Sequence, residues 1–161
     1  MKSIFPILFL AILFISCNET ANKKVEQNNS NAEKTYNEIL AKKYGADQYG
    51  MKKYVIAFLK RGPNRNQDSI TKAKLQRAHL NNINKLAEDG KLVLAGPFFG
   101  TDDLRGIYIF DVQTVEEAKK LTETDPAIIA GSLEMELKEW YGSAALMAIN
   151  ELHKSLSKIE I

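Results

Sequence analysis

The sequence predicts an α+β domain with strands and helices in the order βαββαβ, and three observations carry that prediction. Lys53–Lys60 (KYVIAFLK) and Gly106–Val112 (GIYIFDV) are short runs that are apolar on both alternating sets of positions. Strands of that kind are covered on both faces. Between them, Asp68–Glu88 repeats Leu75, His79, Ile83 and Leu86 at the spacing of one helical stripe. After them, Leu133, Met135 and Leu137 alternate with Glu134, Glu136 and Lys138, the period of a strand with one wet face.

The chain of 161 residues has room for one ordinary domain. It opens with Lys2 and an apolar run from Ile4 to Ile15. That run is too short to cross a bilayer comfortably, which takes about 20 residues. It ends at Phe14-Ile15-Ser16-Cys17, where a small residue precedes the single cysteine of the chain. This pattern resembles a bacterial lipobox, with Phe14 in the place usually held by Leu and Leu13 beside it. Residues 1–16 are then expected to be a lipoprotein signal peptide, and Cys17 the lipidated N-terminus that anchors the protein in the cell envelope, on the periplasmic or outer-membrane side. A plain secretory signal with an incidental cysteine is the alternative, but it leaves a lone thiol in an oxidising compartment. Residues 17–31 are polar, with Val25 their one large aliphatic side chain, and read as a tether.

Residues 32–50 hold a short helix and a lead-in: Tyr36, Ile39, Leu40 and Lys43 recur at helical spacing and Gly45 stops them. The main domain is expected over residues 51–142. Its first strand, Lys53–Lys60, turns at Arg61-Gly62-Pro63-Asn64. Asp68 is the candidate N-cap of the longest helix, and Asp89-Gly90 ends it. Lys91–Pro97 (KLVLAGP) is the second strand, and a loop from Phe98 to Leu104 leads to the third, Gly106–Val112. Thr114 followed by Glu117 is a capping-box signature for the second helix, which closes by Glu123. The strand through Leu133, Met135 and Leu137 follows. Over residues 143–161, Leu146, Ile149, Leu152 and Leu156 mark an amphipathic C-terminal helix. The order is the ferredoxin-like split motif, a four-stranded antiparallel sheet with helices on one face and an extra helix at each end.

Such a sheet leaves its other face open, yet two of its strands are apolar on both sides. A second copy packed sheet against sheet solves this, so a homodimer in the manner of dimeric α+β barrels is expected. Coverage by the terminal helices within one chain is the competing solution. The 22 Lys+Arg against 20 Asp+Glu give a net charge of +2. No concentrated basic excess exists, so no nucleic-acid partner is expected.

Few residues carry chemistry. His153 sits beside Glu151 and Lys154 in the C-terminal helix and reads as a surface residue. His79 lies on the sheet-facing stripe of the long helix, where a backbone-satisfied core histidine and an acid–base group are both open readings. Asp125-Pro126 is the usual start of a helix, aspartate as cap and proline at the first position, although a capping carboxylate can still orient an imidazole. Gly96 and Pro97 allow a ligand to approach the strand backbone, a role turn geometry explains equally well. Phe98 and Phe99 are candidates for lining a pocket. Two distant histidines make no metal site of familiar spacing, and Lys60-Arg61-Gly62 is only a weak anion signal. No cofactor and no metal are expected.

From Tyr54 to Trp140 the chain resembles the YciI-like, or YCII-related, family of dimeric α+β barrel proteins. The resemblance rests on a first strand ending near Leu59-Lys60, the helical stretch Gln76-Arg77-Ala78-His79-Leu80, Ala95-Gly96-Pro97 at the end of strand two, and Asp125-Pro126 after helix two. It implies a His–Asp acid–base pair, here His79 and Asp125; Gly96, Pro97 and Phe98 are the expected substrate contacts on the reading of the residues given above. It also implies a lyase or isomerase acting on a small cyclic or aromatic metabolite, dehydrochlorination being one such activity in the family. A module that binds a small molecule in the same cleft without turnover is the alternative. The signal and tether depart from the family pattern, as does Ala127 where a bulky apolar residue is expected.

Overall fold

The computed structural model describes residues 35–159. The expected signal, Cys17 and the tether lie outside these described residues. The first helix, α1 (Glu38–Tyr44), begins where the Asn37 side chain accepts the backbone N–H of Leu40, and it ends at Gly45 in the left-handed region, φ 67°. A residue with a Cβ is strained in that conformation, so the sequence stop at Gly45 has a direct cause.

Four strands form one antiparallel sheet: β1 (Met51–Arg61), β2 (Leu92–Pro97), β3 (Leu104–Phe110) and β4 (Leu133–Ser143), in the order β2-β3-β1-β4. The helix α2 (Ser69–Glu88) joins β1 to β2. Between β3 and β4 lie α3 (Val115–Thr122) and a single turn, α4 (Pro126–Ile129). The split order expected from the sequence is the order observed, with an added helix before and after it.

Four elements differ in extent from the sequence expectation. Strand β1 is longer at both ends than Lys53–Lys60, because β4 pairs with all of it, from Met51 opposite Ser143 to Arg61 opposite Leu133. For the same reason β4 continues past the clean alternation that stops at Lys138. Strand β3 lies two residues earlier than Gly106–Val112: Leu104 already pairs with Lys60, and beyond Phe110 the backbone N–H of Asp111 turns to Lys91 O. The C-terminal segment is a 3-10 helix (Ala144–Ala148) before it becomes α5 (Ile149–Leu156).

Each face of the sheet carries its own cluster. On the helix side Val55, Ala57, Leu59, Leu92, Tyr108 and Phe110 pack with Leu86 of α2 and Ala118 of α3. On the other side Tyr54, Val93 and Ile109 pack beneath Leu146 and Met147 of the 3-10 helix. A bulge in β2 between Leu92 and Leu94 turns two neighbours, Val93 and Leu94, toward this second cluster. The terminal segment therefore covers one end of the second face. Ile56, Phe58 and Ile107 on that face stay half-buried.

One close backbone approach fixes the corner that leads into β4. Gly62 donates to Ser132 O at 3.0 Å, and Asn64 donates from its backbone to Gly131 O at 3.0 Å. A Cβ at Gly62 would lie 2.1 Å from Gly131 O, so no larger residue fits without moving the main chain. The Asn64 side chain adds a bond to Ala130 O at 2.9 Å. The end of β1 is thus sewn to the segment that follows α4, and α4 carries the principal residue of the candidate site at its start.

Candidate active site

His79 occupies the middle of α2 on the stripe Leu75, His79, Ile83, Leu86, of which His79 and Leu86 are buried. The helix keeps this phase because Asp68 caps it firmly, its carboxylate accepting the N–H groups of Ile70 and Thr71 at 2.9 Å each. Asp125 is the N-cap of α4, and its Oδ1 accepts the N–H of Ala127 at 2.9 Å. Pro126 stands at the first helical position, where a missing N–H costs nothing. The other carboxylate oxygen, Oδ2, lies 2.7 Å from His79 Nδ1. The side chains of His79 and Asp125 are 11% and 1% exposed, so the pair is sheltered but one edge of the ring still meets solvent.

The second ring nitrogen also has a partner. Tyr108 of β3 places its hydroxyl 3.3 Å from His79 Nε2, with its ring nearly parallel to the imidazole at 6.2 Å between centroids and 21° between planes. Phe110, two residues on, packs edge-on against Tyr108 at 5.7 Å and 89° and holds its ring in place. Three elements thus meet at one imidazole: α2, α4 and β3.

The hydrogen-bond roles follow from the partners. Both oxygens of Asp125 act as acceptors, so Nδ1 carries the ring proton and donates it. Burial, with a smaller contribution from the Asp125 charge, pushes the Tyr108 hydroxyl far above the usual tyrosine range. Tyr108 therefore keeps its proton and donates to Nε2. The chain runs Tyr108 O–H to Nε2, then Nδ1–H to Asp125, which is the arrangement that orients a histidine for proton transfer.

Of the residues expected from the sequence, the structure brings His79 and Asp125 together. Gly96 is separated from them: it pairs with Ile107, one place from the Ala95–Tyr108 pair, and so belongs to the opposite face of the sheet. Pro97 pairs with Gly106 on the His79 side of the sheet and is exposed. Phe98 begins the following loop, its N–H bonded to Arg105 O at 2.9 Å, and is 45% exposed. His153 is exposed on α5. Cys17 lies outside the described residues. Tyr108 is the residue that sequence reasoning passed over, hidden in the apolar run GIYIFDV. The signal was its hydroxyl, since a tyrosine on a fully covered strand needs a buried polar partner.

The model of the YCII-related domain matches residues 56–141, more than half of the chain, and that stretch holds His79, Tyr108 and Asp125. The uncharacterised protein YjpA of Bacillus subtilis strain 168 is 32% identical over 62 residues, which span 38% of this chain and 71% of that protein. Among solved structures, the 5-chloro-2-hydroxyhydroquinone dehydrochlorinase of Burkholderia phenoliruptrix AC1100, determined in complex with 2,5-dihydroxybenzoquinone, aligns with 21% identity and a TM-score of 0.40. That alignment covers 53% of this chain and 92% of the other.

The burial of the tyrosines gives a direct prediction. Burial raises the Tyr54 hydroxyl to about 12, the Asp111 charge adding to the effect, and raises Tyr108 further still. An ordinary tyrosine ionises near pH 10. In a spectroscopic alkaline titration, Tyr54→Phe and Tyr108→Phe should leave the phenolate signal below about pH 11 unchanged. Because the unfolded chain gives up these protons first, their contribution to stability is complete below about pH 10 and is lost as pH rises beyond it. A drop in that signal in Tyr108→Phe would mean that the hydroxyl is freely ionised and is not the donor to Nε2.

Proposed function

This chain belongs to the YCII-related domain family, and on that premise we propose that it is a lyase or isomerase. It moves a proton on a small cyclic or aromatic metabolite, with His79 as the acid–base group. The observation that carries the reading is the continuous chain Tyr108–His79–Asp125 inside the matched domain.

The chemistry follows from the bonding. Nε2 is the ring nitrogen with a lone pair, and it accepts the substrate proton. The resulting imidazolium is held by Asp125, whose 2.7 Å contact at Nδ1 fixes both tautomer and orientation. Once Nε2 is protonated it no longer accepts from Tyr108, so the tyrosine hydroxyl is released to donate elsewhere. A substrate oxygen on which charge collects is the natural acceptor. In the return step Nε2 gives its proton back, to a different substrate atom or to a leaving group. At 3.3 Å the Tyr108 contact is long enough to yield to a substrate without much loss. Pro97 and Phe98 are proposed as further substrate contacts, Pro97 sharing the sheet face of Tyr108.

The sheltered ring, with both nitrogens engaged, is the observation that favours the alternative, a module that binds its ligand at the same place without turnover. A panel of hydroxylated and halogenated quinols and hydroxyquinones in deuterated buffer, followed by NMR, separates the two. Catalysis predicts consumption or deuterium uptake by at least one compound, reduced roughly 10²- to 10⁴-fold in His79→Gln. Saturable binding with neither consumption nor exchange would establish the binding module instead.

Two further proposals concern partners. The half-buried Ile56, Phe58 and Ile107 support a homodimer formed on the second face of the sheet. Light scattering should give twice the chain mass at micromolar concentration, and Phe58→Glu should give the monomer; a wild-type monomer would mean that the 3-10 helix and α5 suffice as cover. The Ser16-Cys17 pattern supports a lipid anchor in the envelope. Cys17→Ser should leave the signal uncut or release the protein from membranes, whereas normal processing with membrane retention would exclude lipidation.

A further inference from the structure

We propose that Asn82 is a positioning residue for the His79–Asp125 pair, clasping the backbone that carries Asp125 to the helix that carries His79. The inference rests on the acid–base reading of His79 for its functional meaning, but its geometry is independent of that reading. Asn82 follows His79 by three residues, so the two side chains lie one turn apart on the same face of α2. The Asn82 amide Nδ2 donates to the carbonyl oxygen of Thr124 at 3.2 Å and to the Thr124 hydroxyl oxygen at 2.9 Å. Thr124 is the residue immediately before Asp125.

The orientation of this amide is forced by its partners. A carbonyl oxygen only accepts. The Thr124 hydroxyl has already given its proton to Leu121 O at 2.7 Å, so it too can only accept from Asn82. Both donors of the Asn82 amide must therefore face Thr124, which turns Oδ1 the other way. Oδ1 is buried and has no hydrogen-bond partner among the described residues.

What the clasp controls is the place of a carboxylate. The backbone of the corner is held on the α3 side by Thr124 N–H to Leu121 O at 3.2 Å and Asp125 N–H to Thr122 O at 3.1 Å. These bonds are local to α3 and do not fix its distance from α2. Two side chains of α2 reach across to the corner, His79 to the Asp125 carboxylate and Asn82 to the Thr124 main chain. With Asn82 in place, the 2.7 Å contact at Nδ1 is set by the backbone. Without it, the catalytic pair itself has to hold the two elements in register.

The test uses the whole protein with isotope-labelled histidine and reads the His79 ring by NMR. Asn82→Ala should weaken the strongly hydrogen-bonded Nδ1–H signal, shifting it upfield and exposing it to exchange with water, while the amide spectrum of the sheet stays that of the wild type. Thr124→Val removes the hydroxyl acceptor from the other side and should move the same signal in the same direction; it also serves if Asn82→Ala does not fold. An exposed residue of the same helix, Gln76, changed to Ala should move nothing. For an identified substrate, Asn82→Ala should lower kcat roughly 10- to 100-fold at unchanged KM. A His79 signal identical to wild type in a folded Asn82→Ala protein, with only the melting temperature reduced, would overturn the proposal and leave Asn82 a structural residue. Absence of turnover in the wild type would count against the acid–base reading of His79, and not against the clasp, because the NMR signal reports position without any substrate.

Discussion

A carboxylate with no solvent exposure sits inside this small domain, and the arrangement of its helices answers to it. Asp125 is fully buried. A buried charge without partners is prohibitively costly, so it must be met by hydrogen-bond donors from the protein itself. One donor is local, the Ala127 N–H at the start of α4. The other is remote, the ring nitrogen of His79, 46 residues earlier in the chain. Deleting one member of such a buried pair costs about 3–5 kcal/mol, a large part of a small domain's stability. The pair and the Asn82–Thr124 clasp together tie α2 to the corner between α3 and α4. The Gly62–Gly131 approach fixes the other end of α4, where the chain turns into β4, against the end of β1.

The sheet converts this anchoring into a functional geometry. Alternation along β3 sends Tyr108 and Phe110 to the helix side and Ile107 and Ile109 to the other. The polar end of Tyr108 is thereby delivered to His79, while its ring forms part of the core. Burial keeps the hydroxyl protonated, which makes it a hydrogen-bond donor at every physiological pH. The same alternation explains why Gly96, adjacent in sequence to Pro97, belongs to a different face from the imidazole.

Much of this was legible in the sequence because it depends on local periodicity. The stripe through Leu75, His79, Ile83 and Leu86 fixed the direction of the imidazole, and Asp125-Pro126 announced a helix start. Thr114 caps α3 as its spacing implies, its hydroxyl accepting the Glu117 N–H at 3.2 Å. What the sequence hid depends on pairing between distant segments. The ends of β1, β3 and β4 are set by their partners' lengths, not by their own residues. Tyr108 stood as one more residue of an apolar strand, and nothing local to Asn82 marked it. Neither role exists until β3 and the Thr124 backbone are brought to α2. The bulge that turns both Val93 and Leu94 to one face breaks the period on which a strand is read.

The whole arrangement depends on which nitrogen of His79 holds the proton when the site is empty. The ¹⁵N shifts of the two ring nitrogens in the free protein at neutral pH decide this directly. The expected result is a protonated Nδ1, donating to Asp125, and an unprotonated Nε2 that accepts from Tyr108 and moves when Tyr108 is changed to Phe. A proton resident on Nε2, with Nδ1 bare and insensitive to Asp125→Asn, would contradict it.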